Sequence, residues 1–193
     1  MKKKTSKQEK RQKQTIEEKY KNLYNQEKKN RPFIHKGGME LIVRKAKSEE
    51  FSSIYKQGYK EWAKNRTFDQ YLKDNQKEEK DGVRYVLVDD GEQITASLIM
   101  LEFRPNLFGI GSIVVDSASR GQGLGKMLIE ECLRKQPGAA FLLYSEIDPN
   151  YYKQFGFRVL PDELQQSPKG VCMILGEEKL LGQILREPIP DYF

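Results

Sequence analysis

Apolar residues recur along this chain with two periods, one near 3.6 and one of 2, and the periods alternate in blocks. Leu41-Ile42-Val43 reads as a strand. Phe51, Ile54, Tyr55, Tyr59 and Trp62 share one side of a helix running to about Lys64, with Ser48 as the expected cap and Glu49 and Glu50 in its first turn. A second helix is predicted over 68–79. Residues 83–88 and 94–103 read as strands joined by an Asp89-Asp90-Gly91-Glu92 hairpin turn. A turn over 104–107 leads into a strand over 108–116. Met127, Leu128, Ile129 and Leu133 then mark a helix to about Lys135, stopped by Pro137-Gly138. A buried-type strand over 139–147, a short helix over 148–155 and strands over 157–160 and 171–175 follow. Leu180, Leu181, Ile184 and Leu185 return at helical spacing. This order predicts one α/β (α+β) layered domain around a mixed, mostly antiparallel sheet flanked by helices.

Before residue 39 the pattern changes. Residues 1–14 are almost wholly polar or charged and bury too little to order themselves. Ile16, Tyr20, Leu23 and Tyr24 then recur at helical spacing, which predicts a short amphipathic helix over 15–29 with Thr15 as its cap. Arg31-Pro32 ends it, and Gly37-Gly38 reads as a hinge. Two regions follow: a basic N-terminal extension over 1–38, partly disordered, and a single domain over 39–193.

Charge sharpens that division. The 193 residues carry 34 Lys and Arg against 28 Asp and Glu. Residues 1–38 hold 13 basic and 4 acidic side chains, a net of +9. The rest holds 21 basic and 24 acidic, a net of −3. Its charge could attract nucleic acid, an anionic membrane surface or an acidic partner, but few aromatics argue against nucleic acid, a four-residue apolar face is too narrow for a stable membrane anchor, and a solvated tail is the plain alternative. No apolar run approaches the roughly 20 residues of a membrane span. Two cysteines, Cys132 and Cys172, make no disulfide framework, and a lone His35 leaves no multi-histidine metal site. The expectation is a cytoplasmic protein whose two thiols are small buried hydrophobes.

The segment with chemistry is Ile113-Val114-Val115-Asp116-Ser117-Ala118-Ser119-Arg120-Gly121-Gln122-Gly123-Leu124-Gly125-Lys126. An apolar strand runs into a glycine-rich turn that opens a helix. Glycines leave backbone amides uncovered, and a helix N-terminus adds unpaired N–H groups and a positive dipole end. Together they favour a phosphate-bearing ligand. The turn is not a P-loop: Arg120 stands where the first glycine belongs, and Met127 replaces the magnesium-binding hydroxyl. Nor is it a dinucleotide fingerprint, because Gly121, Gly123 and Gly125 are spaced G-x-G-x-G.

Arg120-x-x-Gly123-x-Gly125 after a Val-Val-Asp strand resembles the acyl-coenzyme A pyrophosphate loop of the GNAT superfamily of N-acetyltransferases. Tyr151-Tyr152-Lys153-Gln154-Phe155-Gly156-Phe157 resembles that family's second motif, Tyr-x-x-x-Gly-Phe. The likeness covers about residues 39–175, including the order of elements. It implies acetyl-CoA as cosubstrate and no metal. The backbone of Ile113, Val114 and Val115 would pair with the pantetheine arm. The amides of Gln122, Gly123, Leu124, Gly125 and Lys126, after Arg120 and Gly121, would take the pyrophosphate, with Lys126 as an added cation. The coenzyme arm would enter where this strand splays from the one over 141–147. Tyr152 would lie near the thioester sulfur, and the amide of Val115 would stabilise the oxyanion. Tyr55, Tyr59 and Trp62 fall where the family receives its acceptor.

The implied reaction is direct attack of a primary amine on the thioester in a ternary complex. An amine of pKa about 10.4 is neutral in only on the order of one molecule in a thousand at pH 7, so a base is needed. A tyrosine near pKa 10 is a weaker acid than a thiol near 8.5, so full proton transfer from an untuned Tyr152 is uphill by roughly 2 kcal/mol, and hydrogen bonding to the thiolate is its expected role. Ser117 stands in place of the family's proline before the loop. Ser145 and Asp148 replace its usual Asn and Ala, and Ser145 is expected to bond either the pantetheine or a backbone group. No glutamate lies in the strand over 108–115, so Glu102 and Glu146, on the flanking strands, are the candidate bases. A second reading is a catalytically silent module of the same fold that binds acyl-CoA or a partner.

Overall fold

The computed structural model describes residues 33–34, 38, 40–191 and 193. The helix expected over 15–29 and His35 lie outside the described residues. The chain divides between Ile42 and Val43. In the first part, strand β1 (Phe33–Ile34) pairs antiparallel with the start of β2 (Glu40–Lys45), Phe33 opposite Leu41.

From Val43 onward the elements are the end of β2, helices α1 (Phe51–Trp62) and α2 (Phe68–Asp81), strands β3 (Gly82–Asp89), β4 (Ile94–Arg104) and β5 (Leu107–Val115), helix α3 (Leu124–Arg134), β6 (Ala140–Ser145), α4 (Asn150–Lys153), β7 (Arg158–Val159), β8 (Val171–Leu175) and α5 (Glu178–Ile184). The sheet of this part runs β2–β3–β4–β5–β6–β8–β7. All pairings from β3 to β7 are antiparallel except β5–β6, which is parallel. Every residue of β4 from Ile94 to Leu101 is buried, so helices or chain cover both faces of the sheet.

Local chemistry explains most boundaries. Thr67 caps α2 by accepting the Gln70 amide, and the Gln70 side chain returns the bond to the Thr67 amide, a full capping box. The Asp89 side chain accepts the amides of Gly91 and Gln93 and closes the β3–β4 turn. Ser48 is not the cap of α1. It sits within a 3-10 turn, and Glu50 takes the Lys47 amide at 2.6 Å while forming a two-pronged pair with Arg44 of β2. That pair outcompetes a serine hydroxyl because both of its partners are charged. The guanidinium holds the Glu50 carboxyl down at about pKa 2.

Buried Leu124, Leu128, Ile129 and Cys132 form the inward stripe of α3. A second core joins Leu107, Leu142, Cys172 and Ile174 of the sheet to Leu181 and Ile184 of α5. Both thiols are fully buried, and burial pushes both upward from the usual range. Among the described residues no helix is long and apolar enough to cross a membrane, and no group of three His, Cys, Asp or Glu could hold a metal ion.

Candidate active site

The site begins with a break in the sheet. β5 and β6 pair at Leu107–Ala140, Phe108–Phe141 and Gly109–Leu142, and the pairing stops there. Beyond it β5 stays with β4, while β6 stays with β8 through Ser145–Val171. A bulge drives the divergence. Ser97 faces Val114 and Ile99 faces Gly111, so Leu98 alone opposes Ser112 and Ile113. Ser112 takes the left-handed conformation, φ 48°, that such a bulge demands.

The opened edge of β5 carries backbone donors. The Asp116 amide donates to Thr95 of β4 at 2.8 Å. Ladder alternation then turns Val115 and Ile113 to the opposite edge. Their carbonyls agree: that of Val115 accepts Arg120 Nε at 3.2 Å, and that of Ile113 accepts Trp62 Nε1 at 3.3 Å. The amides of both residues therefore face the gap.

A cavity of about 740 Å³ occupies that gap. This is within the usual range for a small-molecule site. Ile110 to Val115 form one wall, and Leu143, Tyr144, Glu146 and Ile147 the other. Tyr151 and Tyr152 of α4 lie between them. Trp62, Lys64, Arg66, Asn75 and Glu78 come from α1, α2 and their connection, while Arg120 and Gly125 line the end nearest the loop.

The loop is built to present amides. Asp116 caps the turn over Ser117–Ser119 by accepting the Ala118 amide. Gly123 is the N-cap of α3 at φ 80°, ψ 8°, and a Cβ there or at Gly121 would meet nothing within 4 Å. The first turn of α3 contains no acidic residue, so its unpaired N–H groups and dipole end are uncompensated by protein charge. Gly125 is needed for close packing instead, since its Cβ would lie 3.1 Å from Val115 and 3.3 Å from the Tyr151 hydroxyl. Lys126 is exposed, with a loose 3.9 Å pair to Glu130. These features fit a pyrophosphate at the loop and an extended arm along β5.

The other expected residues divide. Arg120 supports the loop: it pairs with Glu61 of α1 at 2.5 Å as well as holding the Val115 carbonyl. Leu124 is buried core. Ser145 does not line the cavity; its hydroxyl donates to the Ile147 carbonyl at 2.8 Å, the backbone alternative. Glu102 is exposed on β4 opposite Phe108 and lies off the cavity, because the parity of β4 turns it outward at the far end of the pair. Glu146 does line the cavity, ion-paired with Lys64. Of the three α1 aromatics expected at the acceptor site, only Trp62 reaches the cavity. Tyr55 is core, and the Tyr59 hydroxyl donates to the Arg66 carbonyl while its ring packs on Phe68 and Tyr71.

Tyr152 is 8% exposed, lines the cavity and packs edge-on to Tyr151 and Phe157. Burial pushes its phenol up to about 12, with Tyr151 and Glu146 adding to the effect. Sequence reasoning did not find Glu78 or Ser112. Glu78 sits in a stretch of α2, Lys77-Glu78-Glu79-Lys80, that reads as a solvated face.

Residues 80–159, from the end of α2 through β7, match the acetyltransferase (GNAT) domain family. No curated protein sequence matches the chain. Among solved structures, a spermidine N-acetyltransferase chimera from Vibrio cholerae and hSSAT superposes with TM-score 0.56 at 15% identity, covering 73% of this chain and 98% of its own. A GNAT family N-acetyltransferase from Escherichia coli, in complex with CoA, gives TM-score 0.56 at 18% identity, covering 74% and 82%. A GNAT family acetyltransferase from Brucella melitensis, in complex with acetyl-CoA, gives 0.54 at 17%, covering 79% and 93%. At these identities the likeness establishes the fold. The family match covers the loop and both flanking strands, so residues 80–159 resemble a GNAT acetyltransferase domain in sequence and the chain shares the fold of the GNAT acetyltransferases.

Proposed function

We propose that this protein transfers the acetyl group of acetyl-CoA to a primary amine by direct attack within a ternary complex. The observation that carries the reading is the parted β5–β6 edge, with an uncapped glycine loop and helix N-terminus at its mouth. The loop amides from Gln122 to Lys126 would hold the pyrophosphate, with Lys126 adding charge. Val115 would bond the arm. Ile113, two residues farther from the loop, would direct its amide at the thioester oxygen, where an N–H donor lowers the barrier most. This moves the expected oxyanion donor from Val115 to Ile113, because the arm must span the distance from loop to bulge before the acyl group begins.

Acetyl-CoA would supply an activated acyl carbon and a good leaving group. Tyr152 serves the departing sulfur as a hydrogen-bond donor. Moving a proton outright from a phenol near 12 to a thiolate near 8.5 is uphill by roughly 5 kcal/mol. Tyr152→Phe is expected to lower kcat by about 10- to 100-fold and leave acetyl-CoA affinity within about twofold, read by free-thiol release and by calorimetry. The raised phenol also keeps its proton through neutral pH. The alkaline side of the profile should therefore show no loss assignable to Tyr152 below about pH 11.

The test of the reading is coenzyme A release from acetyl-CoA with a panel of a short diamine, an arylalkylamine, an amino-acid amide and a lysine peptide. Turnover with any of them supports it. Tight acetyl-CoA binding with no turnover across the panel and wider amines would instead make the protein a silent binding module.

A further inference from the structure

We propose that Glu78 of α2 is the general base of this site, held by the Ser112 hydroxyl beside the β5 bulge and taking its proton from the acceptor amine. The inference rests on the acetyltransferase reading above and adds to it the group that activates the acceptor.

Two adjacent carboxylates at the end of α2 have different duties. Arg84 of β3 has a side chain only 2% exposed. Its guanidinium is satisfied by Glu79, with Nε at 2.8 Å and Nη2 at 2.6 Å from Oε1. A further contact runs to Asn75 at 3.4 Å. Glu78 takes no part in that pair. It lines the cavity, and its hydrogen-bond donor is Ser112 Oγ at 3.2 Å. A carboxylate in a cavity wall, held by a neutral hydroxyl and, among the described residues, without an ion pair within 4 Å, keeps lone pairs available to a substrate proton. Glu146, in contrast, is paired with Lys64.

Position supports the same role. Ser112 directly precedes Ile113, whose amide faces the opened edge and whose carbonyl is fixed by Trp62. The carboxylate thus lies beside the segment where the acyl carbon is placed, at the end of the cavity away from the loop. Burial raises the Glu78 carboxyl from its usual value, against the opposing pull of Arg84 and Ser112. The charged and titratable groups facing it are Arg84 from β3, Glu79 from α2 and Arg66 from the α1–α2 connection, with Tyr55 and Tyr71, both raised and neutral at pH 7. A base shifted toward neutrality is better matched to an amine than an ordinary carboxylate.

The protons balance. The acceptor ammonium gives one proton to Glu78 and becomes nucleophilic. Its nitrogen forms the new C–N bond, and the C–S bond breaks with its electron pair leaving on sulfur. The second nitrogen proton passes to that sulfur, giving the amide and free coenzyme A, and Glu78 releases its proton to solvent.

The experiment compares wild type, Glu78→Gln and Ser112→Ala with acetyl-CoA and the best amine of the panel, across pH 5–10. Glutamine is isosteric and removes a desolvated charge, so the melting temperature should hold or rise. Glu78→Gln is expected to lose at least about 100-fold in kcat, keep its acetyl-CoA affinity within about twofold, and lose the acid limb of the wild-type profile. That limb marks the fall in activity as Glu78 gains a proton. Ser112→Ala should move it to higher pH, because the hydroxyl stabilises the ionised form. An active wild type whose Glu78→Gln variant keeps kcat within about threefold, or keeps the same acid limb, overturns the assignment alone. So does a variant that loses stability or acetyl-CoA binding along with activity. A wild type that binds acetyl-CoA but acetylates no amine overturns the enzyme reading and the base with it.

Discussion

Gly123→Glu is expected to weaken acetyl-CoA binding by at least about 100-fold, which is about 2.7 kcal/mol. Two effects add. A side chain at φ 80° costs about 1–2 kcal/mol in the left-handed region, and relief of that strain pulls the amide away from its ligand-facing orientation. A carboxylate at the mouth also meets the pyrophosphate. Two like charges 4 Å apart repel by about 4 kcal/mol at an effective dielectric of 20, and by less on an exposed loop in salt. Gly123→Ala separates the two. A Cβ there touches nothing within 4 Å, so alanine carries strain without charge or collision. Its melting temperature should fall by a few degrees and its binding by only a few-fold. Calorimetric titration with acetyl-CoA reads both variants. Binding by Gly123→Glu within about threefold of wild type would remove the loop as the phosphate site.

Glu79→Ala is expected to destabilise the domain by about 3–5 kcal/mol. Arg84 is buried, and Glu79 is its anionic partner at 2.6 Å. Truncation leaves a desolvated guanidinium with the Asn75 oxygen at 3.4 Å and the Ser112 carbonyl at 3.5 Å, neither of which carries charge. A competing gain exists, because Glu79 lies in the last turn of α2, where an anion opposes the helix dipole. That relief is only about 0.3–1 kcal/mol, so the orphaned cation decides the sign. For a domain of this size the melting temperature should drop by about 6–20 °C. Urea unfolding of Glu79→Ala beside Glu78→Gln would then show neighbouring glutamates with opposite phenotypes, one in stability and one in turnover. A loss below about 1 kcal/mol in Glu79→Ala would mean that Arg84 is solvated in the native state.

How much of the site the sequence held depends on which physics placed each residue. The loop from Arg120 to Lys126 was legible because glycine spacing records backbone conformation directly. The strand before it and the helix after it were legible from their periods, and their observed bounds differ from expectation by a residue or two. Tyr152 was legible through its motif, but its raised phenol was not, since burial is a property of neighbours. Glu78 was hidden because mixed Lys and Glu near a helix end carry no mark of which face meets a bulge three elements away. Glu102 was misleading for a related reason. It lies on the strand beside β5, but strand parity at that register turns it to solvent.

By itself the sequence determined the order of elements, the loop and helix N-terminus that suit phosphate, and the uneven distribution of charge along the chain. All of these rest on interactions between residues close in the chain, so local spacing encodes them. Tertiary structure decided where β5 leaves β6, which amides that exposes, which carboxylate is spent on Arg84 and which faces the cavity. Those outcomes depend on the register between distant strands and on competition among distant charges for the same buried space, and no local pattern specifies either.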